Sequence, residues 1–113
     1  MNQIIQFTEL QQSPIGREFE GNKFEGSAVS FILVDAAAGE GVQLHSHPYP
    51  EIFIVQEGSA LFTIGKSQVE AKAGQILIVP PDVPHTFVNT GSGKLRQVDI
   101  HLSPGFITKW LDT

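Results

Sequence analysis

Apolar positions along this chain recur at every second residue or in short unbroken runs, and nearly every run stops at glycine or proline. A period of two predicts strands, and the eleven Gly and seven Pro placed between the runs predict the turns that separate them. Strands are predicted over 3–8, 28–34, 42–47, 51–56, 59–64, 68–71, 75–79, 85–89 and 95–102. Residues 11–26 read as a polar loop with turns at Ser13-Pro14-Ile15-Gly16 and Glu20-Gly21-Asn22-Lys23. Pro48 and Pro50 interrupt the ladder before Glu51, because neither can donate to it. Only 106–111 shows helical spacing, with Phe106, Ile107, Trp110 and Leu111 on one face, which predicts one or two turns of terminal helix. Short strands without helical crossovers predict an all-β protein, its antiparallel sheets closed as a sandwich, jelly roll or small barrel.

At 113 residues the chain has room for one domain with a real core, so 1–113 is expected to be a single unit. A net charge of −5 would repel a phosphate backbone, and no nucleic acid partner is expected. No stretch approaches 18 apolar residues and the start has no leader pattern, so no membrane association and a cytoplasmic location are expected. With no cysteine, neither a disulfide nor a thiolate metal site can form.

Three of the four histidines and one glutamate fall into two Gly- and Pro-bounded segments: His45, Ser46, His47 and Glu51, then His85. Residues two apart on a strand face the same way, so His45 and His47 can offer both imidazoles to one ion, with Glu51 and His85 closing from neighbouring segments. Three neutral nitrogens and one carboxylate suit a single divalent transition metal, Fe, Mn, Ni, Co, Cu or Zn.

With their spacing, the first segment runs from Gly39 through His45, His47 and Glu51 to Gly58, and the second from Gly74 through Pro80, Pro84 and His85 to Asn89. In order and spacing these resemble the two motifs of the cupin family. The motifs lie at about 39–58 and 74–89, and the strand pattern around them extends the resemblance over nearly the whole chain. One position departs: Asp82 stands where the second motif usually has glycine, and Asp tolerates the left-handed turn better than most residues. The resemblance implies a jelly-roll β-barrel with His45, His47, Glu51 and His85 as metal ligands inside its wider mouth. It implies also a homodimer, often formed in that family by exchanged N-terminal strands, which would give 3–8 a role. Cupins with this ligand set include dioxygenases of enolic substrates, oxalate-processing enzymes and isomerases. Others bind or sense a small molecule without turning it over. In the enzyme reading Glu51 is the candidate general base; a third reading makes the metal chiefly structural.

Gln43 shares the face of His45 and His47 and is expected at the cavity or its mouth. Phe53, Phe62, Phe87, Phe31 and Tyr49 supply cavity walls or barrel core, with Tyr49 expected at the rim between its two prolines. In the last long strand Val98, Ile100 and Leu102 form one face and Gln97, Asp99 and His101 the other. If the apolar face is the core, His101 lies outside or at an interface. The alternative has it lining the cavity as a base or substrate contact. Asn89 is expected to bond backbone in the turn that follows it, and the motif glycines and prolines are read as turn formers.

Overall fold

In the computed structural model, which describes residues 4–111, the strands are β1 (Gln11–Ser13), β2 (Gly16–Phe19), β3 (Ser30–Ala36), β4 (His45–Ser46), β5 (Glu51–Glu57), β6 (Ser59–Ile64), β7 (Ser67–Lys72), β8 (Ile76–Val79), β9 (His85–Val88), β10 (Leu95–His101) and β11 (Lys109–Trp110). They form two antiparallel sheets, one in the order β1-β2-β3-β10-β5-β8 and the other β11-β4-β9-β6-β7. Facing sheets built from hairpins and long crossings are the jelly-roll architecture. Among the described residues no helix is long and apolar enough to cross a membrane.

Between the sheets lies an apolar core of Val34, Val55, Ala60, Val79, Leu95 and their neighbours, centred on three rings. Phe53 meets Phe62 edge-on at 4.9 Å, and Phe87 lies 5.5 Å from Phe62. These rings come from both sheets, as alternation requires when two inner faces interdigitate. Phe31 is not part of this core: it points outward and stacks on Phe19 at 4.5 Å.

Three sequence expectations are corrected. The terminal helix over 106–111 does not form; this stretch is extended, and Lys109 and Trp110 pair with Ser46 and His45. β4 would otherwise be an open edge, and pairing it supplies cross-strand hydrogen bonds such as Leu111 N to Leu44 O at 3.0 Å. One or two isolated helical turns are marginal by comparison. The strand over 3–8 is absent from its described part, where Phe7–Glu9 is a 3-10 turn closed by Gln6 N–H to the Glu9 carboxylate at 2.6 Å; Gln3 lies outside the described residues. The loop over 11–26 instead contains the β1–β2 hairpin, whose Phe19 and Glu18 pair with Phe31 and Ile32. Its polar composition hid an alternation that only the neighbouring β3 makes visible.

Asp82 adopts φ 64°, so the turn forms without glycine, and its N–H donates to His47 O at 2.7 Å. Gly41 is required by close approach: a Cβ there would lie 2.1 Å from Phe87 O. That contact lets the segment leading to β4 lie close against β9.

Candidate metal centre

His45 is on β4 and His85 opens β9, where the two are direct cross-strand partners. Glu51 opens β5, and His47 lies in the Pro-interrupted link between β4 and β5. One ligand atom from each of His45, His47, Glu51 and His85 falls within 4.8 Å of the others, and all four residues are buried.

The hydrogen bonds decide which ring nitrogens face inward. Nδ1 of His45, His47 and His85 meets the backbone carbonyl of Gln43 at 2.6 Å, Ile107 at 2.8 Å and Val83 at 2.9 Å respectively. A carbonyl only accepts, so each Nδ1 carries the proton and each Nε2 presents its lone pair to the centre. Glu51 Oε1 lies 3.2 Å from His47 Nε2 and 3.0 Å from His85 Nε2, and His47 Nε2 has no aligned hydrogen bond. Lone pairs converging on a buried carboxylate are repulsive unless a cation lies among them. The donor set therefore fits a divalent transition ion.

Burial opposes charge on Glu51, but the imidazoles around it, His101 first, outweigh burial and hold the carboxyl below its ordinary range. Burial pushes His45 down to about 4, keeping it neutral. The Asp99 carboxyl moves the other way, raised by burial and then by the charge of Glu51.

A cavity of about 490 Å³ opens beside His45, His47 and Glu51. Phe53 and Phe87 wall it on the core side, and Gln43 lines it at the solvent edge. One open alternative is decided here and one expectation is corrected. His101 is not outside: it is buried, lines the cavity and brings Nε2 to 3.1 Å from Glu51 Oε2. Directly paired residues share a sheet face, and β10 pairs with β5 so that His101 stands opposite Glu51 and Asp99 opposite Phe53. With Glu51 turned inward, the polar face of β10 must turn inward too, leaving Val98, Ile100 and Leu102 outside. Tyr49 is not at the rim but buried behind His47 and His101, its hydroxyl 2.7 Å from His101 Nδ1. Phe62 is wholly core, and Asn89 binds backbone, donating to Ala36 O and Gly93 O.

The sequence reading missed Asp99, Glu18, Phe106 and Trp110, which also line the cavity. Asp99 was detectable in principle, being two residues from His101 on one strand face. Trp110, its ring 5.2 Å from His45, is brought there by a pairing 65 positions away that no local signal announces.

Residues 32–101 match the family model Cupin_2, the cupin domain. The chain belongs to the cupin family. This cupin is 30% identical over 76 residues to an uncharacterized protein of Methanocaldococcus jannaschii, MJ1618, an alignment covering 66% of this chain and 61% of that protein. It is 39% identical over 67 residues to the polyketide synthase CurC of Streptomyces cyaneus, covering 58% of this chain and 43% of that protein. The chain thus spans about half the length of the curated relatives it matches. In fold it resembles the Bacillus subtilis oxalate decarboxylase, a protein with Mn(II) centres, at a TM-score of 0.80 and 23% identity over 93% of this chain and 31% of that one.

Proposed function

We propose that this cupin is a metal-dependent enzyme of dioxygenase or isomerase type, with His45, His47, Glu51 and His85 as ligands, acting on a small uncharged enol or phenol. The observation that carries the reading is the composition of the cavity wall: Phe53, Phe87, Phe106 and Trp110 with Glu18 and Asp99, and no Lys or Arg. An apolar, aromatic wall holds a flat ring, and the acidic groups favour a hydroxyl donor over an anion. A divalent ion held by the four ligands would act as a Lewis acid on an enolic oxygen. Glu51, kept anionic, accepts the proton of the bound hydroxyl. Asp99, its carboxyl pushed up by burial, stands in the same wall as a hydrogen-bonding partner for a second ligand oxygen. The name of the relative CurC agrees with this choice, because polyketide chains are runs of ketones and enols.

The test is a substrate panel. Metal-loaded protein is incubated in air with uncharged enols, β-diketones and phenols beside oxalate and sugar phosphates, with O₂ uptake and product masses recorded. Turnover confined to the uncharged enolic compounds is expected. Turnover of oxalate alone would overturn the assignment, and tight binding of an enol with its mass unchanged would make the chain a binding module.

The assembly we infer is a homodimer joined through the outer face of the six-stranded sheet. Strand register aligns Leu33, Val98, Ile54 and Ile76 in one row and Phe31, Ile100, Ile52 and Ile78 in the next. None of the eight packs against the core, and Ile76 and Ile78 are 65% and 62% exposed. With Phe19 on β2 and Leu102 beyond the rows, strand spacings make the band about 24 Å by about 20 Å, or roughly 1,000 Å² for a pair, the size at which specific interfaces begin. A largely apolar face is complementary to itself under a two-fold axis, so a second copy is the occupant it suits. Sedimentation should give a dimer at micromolar concentration and a monomer for the Ile54→Glu/Ile100→Glu variant; a monomeric parent would refute the assembly.

A further inference from the structure

The four histidines divide by tautomer. His45, His47 and His85 each place Nδ1 on a backbone carbonyl and so keep the Nε2 lone pair for the centre. His101 is the reverse. Its Nδ1 lies 2.7 Å from the Tyr49 hydroxyl, which accepts the Ile107 backbone N–H at 3.2 Å. That hydroxyl keeps one proton to donate, and the other imidazole near it, His47, already carries a proton on Nδ1 because it donates to Ile107 O at 2.8 Å. The Tyr49 proton therefore points to His101 Nδ1, and the His101 proton is left on Nε2, 3.1 Å from Glu51 Oε2. A nitrogen that carries a proton cannot ligate a metal, but it can donate to a carboxylate.

We propose that Tyr49 and His101 are positioning residues for Glu51: Tyr49 sets the tautomer of His101, His101 holds Oε2, and Glu51 offers Oε1 alone to the ion and to the ligand hydroxyl. This rests on the metal-centre reading above. The two oxygens are already in different surroundings. Oε1 is the one near His47 and His85, at 3.2 and 3.0 Å, whereas Oε2 is the one near His101. The 3.1 Å contact has the distance of a hydrogen bond but not its alignment, since His101 Nε2 has no such partner. His101 and Glu51 are direct cross-strand partners, so backbone pairing keeps the two groups on one face. The edge of Phe106, 5.0 Å from the His101 ring, covers the pair. The consequence is a coordination position kept open. A carboxylate free to swing can bind through both oxygens and fill the position a substrate needs.

The experiment uses Co(II), whose visible absorption reports coordination number, on the whole chain and on Tyr49→Phe, His101→Leu and His101→Gln. Tyr49→Phe removes one oxygen atom and is the variant least able to disturb folding; circular dichroism of each metal-free protein checks this. Tyr49→Phe and His101→Leu are expected to bind Co(II) roughly 10- to 100-fold more weakly, the usual effect of losing a group that orients a ligand. Their visible bands should also change in position and intensity. His101→Gln, whose amide can donate to Oε2, should restore the parental spectrum. A lowered melting temperature with parental Co(II) affinity and spectrum in Tyr49→Phe and His101→Leu would show a merely structural role and overturn the proposal. A parent that takes up no Co(II) would instead bring down the metal centre itself, and the positioning roles with it.

Discussion

Protein purified without added metal is expected to carry about one equivalent of Fe, Mn, Ni, Co, Cu or Zn, and a His45→Ala/His85→Ala variant close to none. The two histidines face each other across β4 and β9, so their loss removes two of the three nitrogen lone pairs and leaves Glu51 and His47 with an incomplete set. Stripping the parent with a chelator should lower its melting temperature, because an ion bound only by the folded state at 100 times its Kd adds about 2.7 kcal/mol. Acid should act in the same direction. Burial holds His45 at about 4 in the folded chain, below the ordinary histidine value of 6.5. A depressed folded pKa means that the stability from a neutral His45 is present above 6.5 and lost as pH falls toward about 4, as the unfolded chain takes up the proton first. Protons also compete with the ion for Nε2, so metal content and melting temperature should fall together between neutral pH and pH ~5. Elemental analysis of both proteins after dialysis at each pH checks this. A metal-free parent that takes up nothing on titration would sink the assignment.

Phe53→Ala is expected to cost about 3–5 kcal/mol of folding stability, the range for removing a fully buried ring. Phe53 is 1% exposed and packs on Phe62 and Phe87 at 4.9 and 6.1 Å, so the cavity left behind would be bordered by two rings of the facing sheet, which is held in place by its own strand pairing and cannot fully collapse into it. The ring also lies 6.0 Å from His85 and two residues from Glu51 on the same face of β5. Its loss should therefore loosen the ligand set and weaken metal binding beside the stability loss. Urea unfolding of the metal-free protein measures the first effect and Co(II) titration the second. Val69→Ala, at a position 41% exposed, is the control expected to change stability by less than about 0.5 kcal/mol. A loss below about 1 kcal/mol for Phe53→Ala would mean that the ring is not structural core.

The all-β class and the grouping of His45, His47, Glu51 and His85 were legible because their signals are local. Alternation with period two, Gly and Pro at the turns, and His45, His47 and Glu51 within seven positions can all be read inside a short window, and His85 stands in a second short Pro-marked segment of its own. Even Asp82, out of pattern, was readable as a turn residue, and its φ of 64° agrees. Other features depended on which strands pair, which no window contains. Residues 106–111 have helical spacing, yet the open edge of β4 recruits them as a strand. The polar segment 11–26 becomes a hairpin because β3 is there to pair with it. His101 turns inward only because β10 takes its register from β5, and a one-residue slip would have reversed every side chain on the strand. Tyr49 is buried for a similar reason: its hydroxyl meets His101 and the Ile107 backbone, 52 and 58 residues away. Sequence alone thus determined the strands from β3 to β10 and the ligand types, whose information lies in neighbouring residues. Tertiary structure decided which face each strand turns inward and what surrounds the ligands, because register is set by hydrogen bonds between segments far apart in the chain.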